Sequence, residues 1–129
     1  MIERWQRVAD SADVDEGGKL FTYRDGPFEE SGILVRCGSE VRAWRNLCRH
    51  LAVRLDGDGS GELMDRERRH LVCQRHGAVY RAEDGLCIAG PCAGSRLKPL
   101  QVRIESGAIL LDTAALGGFL MTPASTGNA

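Results

Sequence analysis

Two short segments, Cys48-Arg49-His50 and Cys73-Gln74-Arg75-His76, each carry one thiol and one imidazole with one or two residues between them. Twenty-two residues separate the two segments. A fold that uses both must bring two distant loops to one point, and that requirement narrows the architecture more than any other feature. Two thiolates and two imidazoles are a full ligand set for tetrahedral zinc or for a binuclear iron–sulfur cluster. Zinc sites usually draw two cysteines from one loop, spaced by two to four residues. A Cys-x-His pair is tight around a single ion. If each loop sends its cysteine to one metal and its histidine to the other, the short spacing bridges two metals, and the pattern favours that reading. A zinc-binding interaction module remains the alternative. A Cys48–His50 nucleophilic pair fits less well, because catalytic Cys–His pairs are normally distant in sequence and a second, matching pair would go unexplained.

The rest of the chain supplies a scaffold for such loops. Its 129 residues suit one domain, and apolar spacing of helical period is scarce before the C-terminal tail. Short strand-like runs recur instead: Trp5–Ala9, Lys19–Tyr23, Gly32–Cys37, Glu40–Trp44, His70–Cys73, Leu97–Ile104 and Ala108–Leu111. Sixteen glycines imply many tight turns. Cys37-Gly38-Ser39-Glu40 and Glu105-Ser106-Gly107-Ala108 read as hairpin turns. The expectation is an all-β fold, a small antiparallel sandwich or barrel over 1–113, with 114–129 a flexible tail. Both Cys–His segments follow strand-like runs, so the ligands would sit on the tips of hairpin loops.

Charge and hydropathy exclude several function classes. Seventeen basic residues against eighteen acidic ones leave a net charge of −1, which excludes nucleic-acid binding by bulk charge. No apolar run reaches the roughly 20 residues of a membrane span, and the first residues lack the shape of a signal peptide. A soluble cytoplasmic protein is expected, with neither membrane nor nucleic acid as partner.

At this point the chain resembles the Rieske-type [2Fe–2S] ferredoxins and the Rieske domains of oxygenases; short bacterial Rieske-domain proteins look most similar. Trp5 to Asp10 and Asp13 to Gly17 resemble the opening strand and its turn. Asn46-Leu47-Cys48-Arg49-His50 resembles the first cluster loop, and Val72 to Tyr80 the second loop with the strand that leaves it. Gly85 to Pro91, then Leu97-Lys98-Pro99-Leu100, resembles the glycine–proline loop covering the cluster and the strand behind it. The separation between the loops is longer than usual, and the Asp/Gly-rich stretch Asp56–Gly61 reads as an insert.

The resemblance implies a Rieske fold with a cluster-binding subdomain of two hairpin loops and one [2Fe–2S] cluster per chain. Cys48 and Cys73 would hold one iron, and His50 and His76 the other. In high-potential members a serine two residues after the second ligand histidine, and a tyrosine four after it, donate hydrogen bonds towards the cluster sulfurs. Those positions are Ala78 and Tyr80, so one donor is missing and one is possible; plain core packing with a surface hydroxyl is the other reading of Tyr80. Gly77, Gly90 and Pro91 complete the surroundings. The loop-to-loop disulfide of respiratory Rieske proteins cannot form, because its positions hold Val53 and Arg75. A Cys87–Cys92 bridge would close a loop of only four intervening residues, so both read as small residues in a turn. Cys37 reads as core and His70 as part of a solvated charged run.

Arg49 and Arg75, lying between ligands, could meet an acidic docking patch or be ordinary surface arginines. The implied function is an electron carrier and not an enzyme in its own right. It would pass single electrons from an NAD(P)H-dependent flavin reductase to an oxygenase or related redox enzyme. A small redox or sensor subunit, like that of an assimilatory nitrite reductase, is the alternative.

Overall fold

A computed structural model describes residues 4–15, 17–49, 53–56, 63–65, 67, 70–74 and 77–116. In chain order it contains β1 (Trp5–Asp10), a 3-10 turn (Ser11–Asp13), β2 (Lys19–Asp25), β3 (Phe28–Cys37), β4 (Glu40–Arg45), β5 (His70–Val72), β6 (Val79–Arg81), β7 (Cys87–Ala89), β8 (Pro99–Leu100), β9 (Val102–Glu105), β10 (Ala108–Asp112) and a second 3-10 turn (Thr113–Ala115). No α-helix occurs among the described residues. The all-β, antiparallel reading therefore holds.

The strands form three antiparallel sheets, ordered β1-β10-β9, β2-β3-β4-β8 and β5-β6-β7. The four-stranded sheet is the wall between two cores. Period-2 alternation along β3 sends Ile33 and Val35 to one side and Leu34 to the other, all three essentially inaccessible. The Leu34 side gathers Phe21, Tyr23, Ala43, Leu100, Ile109 and Leu111 into the scaffold core. The opposite side gathers Trp44, Leu55, Leu71, Tyr80, Leu97 and the thiols of Cys48, Cys73 and Cys87. Each large aliphatic side chain so buried contributes about 1.5–3 kcal/mol, enough to hold both faces of the wall.

Both expected hairpin turns are present. Gly38 has φ +64° between the paired residues Cys37 and Glu40. Ser106 (φ +51°) and Gly107 (φ +81°) lie between Glu105 and Ala108, with the two positive φ values of a tight primed turn. The run expected as one strand from Leu97 to Ile104 is instead two strands in different sheets. Leu100 pairs with Ala43 of β4, whereas Val102 pairs with Leu111 of β10. Gln101 is the corner, and its carbonyl accepts from the Asp112 N–H at 2.8 Å. The strand expected to reach Cys73 stops at Val72. At the C-terminal side, the second 3-10 turn seats Leu116 in the scaffold core, 4% exposed.

Candidate metal centre

The first Cys–His loop leaves the end of β4 and is closed by Asn46, a buried residue that uses its whole amide. Its Nδ2 donates to Ser31 Oγ and to Asp56 Oδ1, both at 3.0 Å. Its Oδ1 accepts from the Leu55 N–H at 2.8 Å, so one side chain spans the loop from end to end. Inside that frame the Cys48 N–H donates to the Val53 carbonyl at 2.7 Å. Asp56 is fully buried and takes both Arg54 Nε and Nη2 at 3.1 Å. Burial alone would push its carboxyl up; the donors from Asn46 and Arg54 outweigh that and hold it below the usual carboxylate range. Asp56, the first residue of the expected insert, is thus an anchor of the loop. Positions 57–61 of the expected insert lie outside the described residues.

The second loop repeats the closure. The Cys73 N–H donates to the Ala78 carbonyl at 2.8 Å, again five residues on, and the Gly77 N–H returns to the Cys73 carbonyl at 2.9 Å. Because the Gln74 N–H donates to the Leu55 carbonyl at 2.8 Å, the two loops are bonded to each other. Cys48 and Cys73, 4% and 1% exposed, belong to one buried cluster. His50, Arg75 and His76 lie outside the described residues; in sequence they fall within these two loops. Among the described residues alone, no group of three or more Cys, His, Asp or Glu gathers to hold a metal.

A third loop, Cys87–Ser95, lies over the second. The Cys87 N–H donates to the Ser95 carbonyl and the Gly94 N–H to the Cys87 carbonyl. Gly90 has φ +97°, and a Cβ there would sit 2.8 Å from Ala78 Cα, so only glycine lets the backbones approach this closely. Ile88, Ala89, Gly90 and Pro91 stay exposed at the tip, as do Arg49 and Gly77.

Tyr80 joins the loops. Its ring is fully buried, and its hydroxyl accepts from the Arg49 N–H at 2.9 Å. The same oxygen lies 3.4 Å from Cys48 Sγ and 3.1 Å from Cys92 Sγ. The surface-hydroxyl reading of Tyr80 is therefore overturned. Burial first, then the Cys48 and Cys92 sulfurs, push its pKa up, and the hydroxyl stays protonated. Ala78 is fully buried beneath Gly90.

Other sequence candidates fall elsewhere. His70 is half-buried in β5, with Nδ1 3.0 Å from Asp65 Oδ2. It lines an open cavity of about 500 Å³ with Cys37, Arg81 and Glu83, none of them in the three loops. Cys37 is half-buried at the end of β3 and packs against the cluster-side core. Arg36, Arg42, Arg45 and Arg54 are engaged by Ser11 and Val14, Glu40, Glu30 and Asp56. Asn46 and Asp56 were missed as positioning residues; Asn and Asp at loop ends, where they satisfy backbone donors, are the available signal.

The donor set suits the cluster that the sequence implies. Two thiols buried in one core, on loops of equal closure that are hydrogen-bonded to each other, are two soft ligands, and the Tyr80 hydroxyl lies 3.4 Å from one of them.

Comparison with known proteins agrees. The chain superimposes on the terminal oxygenase of carbazole 1,9a-dioxygenase from Novosphingobium sp. KA1 with TM-score 0.66 and 27% identity, over 84% of this chain and 29% of that one. The Sphingomonas yanoikuyae B1 ferredoxin gives TM-score 0.65 and 26% identity over 84% of this chain and 97% of that one. The ferredoxin of carbazole 1,9a-dioxygenase from Nocardioides aromaticivorans IC177 gives 0.64 and 24%, over the same shares, and shows the likeness of fold. Among curated protein sequences none matches. The model of the Rieske [2Fe–2S] domain matches residues 4–106, a span from β1 through β9 that takes in all three loops. On that match the chain belongs to the Rieske [2Fe–2S] domain family, and its cofactor is the [2Fe–2S] cluster.

Proposed function

We propose that this chain is a one-electron carrier of the Rieske ferredoxin kind, with Cys48 and Cys73 as ligands to one iron and His50 and His76 to the other. When bound, the cluster accepts and releases a single electron, at a potential that two neutral imidazoles raise above that of all-cysteine clusters. The chain's own residues do the rest. Asn46 and Asp56 fix the first loop, the Cys73–Ala78 closure fixes the second, and Tyr80 donates at Cys48 sulfur. The third loop excludes water from the buried thiols while its tip stays exposed to a partner. The observation that carries the reading is the matched closure of the Cys48 and Cys73 loops, five residues each, bonded to one another through Gln74 and Leu55.

The partners are a flavin-dependent reductase upstream and an oxygenase or related redox enzyme downstream. The ferredoxin neighbour of Sphingomonas yanoikuyae is matched over 97% of its length, and the oxygenase of Novosphingobium over 29%, which supports a carrier. The reducing cytosol fits free cysteines at positions 37, 87 and 92. Among the described residues no helix is long and apolar enough to cross a membrane. Metal analysis with electron paramagnetic resonance of the reduced protein tests the assignment: two irons per chain and a mixed-ligand signal are expected. Replacing Cys73 by Ala should abolish the thiolate-to-iron absorption; a wild-type spectrum in that variant overturns the ligand set.

A further inference from the structure

Two cysteines that the metal centre does not use stand thiol to thiol in the third loop. Cys87 Sγ and Cys92 Sγ are 3.2 Å apart. A disulfide bond is 2.03–2.05 Å long, so the sulfurs need approach by roughly 1.2 Å. The turn holds both residues in place for it. The Gly94 N–H bonds the Cys87 carbonyl at 2.9 Å, and the Cys92 carbonyl takes the Ser95 N–H at 3.0 Å and Ser95 Oγ at 2.7 Å. Cys87 is 2% exposed, whereas Cys92 is half-buried and within reach of a small molecule.

The pair is wired inward. Tyr80 oxygen has two lone pairs and one proton. The Arg49 N–H fills one lone pair at 2.9 Å, and the Cys92 thiol at 3.1 Å can fill the other. The phenol proton is then left for Cys48 sulfur at 3.4 Å. A Cys48 that binds iron is a thiolate and can only accept, so the direction of the chain Cys92 to Tyr80 to Cys48 is set.

We propose that Cys87 and Cys92 form a reversible dithiol–disulfide pair, oxidised by a small-molecule disulfide such as oxidised glutathione, that adjusts the hydrogen bond from Tyr80 to Cys48. Its effect on the cluster rests on Cys48 being a ligand. Cys92 attacks the small disulfide, forming a mixed disulfide and releasing one thiol. Cys87 then attacks Cys92 sulfur, which forms the Cys87–Cys92 bond and expels the second thiol. Two protein thiols are oxidised, one small disulfide is reduced, and the two protons end on the two released thiols. Cys92 is the entry point, because burial, and then Cys92 itself, push the Cys87 thiol up to about 11. Once oxidised, Cys92 has no proton to give. Its sulfur becomes a second acceptor competing with Cys48 for the one phenol proton, so the donor at Cys48 weakens and the reduced cluster loses support.

The test uses the cluster-loaded full chain, treated with oxidised glutathione, alkylated and digested. A peptide cross-linked between Cys87 and Cys92, two hydrogens lighter, is expected. Voltammetry of the same sample should show the equilibrium for electron uptake reduced about threefold, which is about 28 mV lower at 59 mV per tenfold for one electron. A dithiol reductant should reverse both changes, and Cys92→Ser should retain the cluster and lose both. Full alkylation of Cys87 and Cys92 after treatment overturns the pair; a cross-link with no change in potential overturns the wiring. Retention of the thiolate-to-iron absorption in Cys48→Ala would instead refute the ligand reading, and the wiring with it, while the cross-link is judged by mass alone.

Discussion

Replacing Tyr80 by Phe removes one oxygen and keeps the ring that fills the cluster-side core, so two separable effects follow. The first is electronic. The hydroxyl lies 3.4 Å from Cys48 Sγ, a normal reach for a sulfur acceptor, and it is buried with the proton oriented by the Arg49 N–H behind it. A donor that discriminates between redox states by about 1 kcal/mol is worth about 43 mV for one electron, since 59 mV is a tenfold change. The extra negative charge of the reduced state gains most from the donor, so the potential should fall by about 40 mV. The second effect is mechanical. The Arg49 N–H loses its acceptor, but Arg49 is exposed and water can replace the bond, which keeps the cost near the lower end of about 1–3 kcal/mol. For a chain of 129 residues that is a drop of about 3–6 °C in Tm. Film voltammetry and a melt followed by cluster absorption read the two separately. A lower Tm with an unmoved or raised potential would refute the argument and leave the hydroxyl a structural strut.

Ala78→Ser should raise the potential by about 40 mV by adding a buried donor beside the loop that carries Cys73, and a fall would contradict the sign. Gly90→Ala forces a Cβ to 2.8 Å from Ala78 Cα at φ +97°, so it should cost about 1–3 kcal/mol in a melt followed by cluster absorption; an unchanged Tm would mean the third loop is not seated there. Asn46→Ala strands the buried Leu55 N–H and one donor to Asp56, so denaturant unfolding should show a loss of several kcal/mol at about 1–3 kcal/mol per group; a loss within 0.5 kcal/mol, in the range of about what exposed sites show, would remove Asn46 as the latch. The Asp56 carboxyl is held low in the folded chain, so its contribution is present above an unfolded pKa of about 3.9 and is lost as pH falls through the folded value. Acid unfolding of Asp56→Asn should therefore have a shallower slope below about pH 4 than the parent, and equal slopes would discount the buried pair with Arg54.

The order of residues alone determined much of this protein. Alternation of apolar side chains is a local signal, and it located β1 to β4 and β10 within a residue or a few at each end. The glycine-bearing turns at Gly38 and Ser106–Gly107 are local for the same reason, since a positive φ is a property of one or two residues. The paired Cys–His motifs were legible because ligand type and spacing are themselves sequence. Tertiary structure decided what depends on partners distant in the chain. Gln101 is a corner only because Asp112 supplies its hydrogen bond. In the third sheet β5 was legible as the run His70–Cys73, whereas the three-residue strands β6 and β7 are too short to show a period, and pairing defines them. Asp56 reads as one more residue of a polar stretch until Asn46, ten positions earlier, and Arg54 close around it. The Tyr80 hydroxyl finds Cys48 thirty-two residues away and Cys92 twelve residues away. A hydrogen-bond partner is chosen by proximity in space, and for these groups that proximity exists only after the loops have closed over one core.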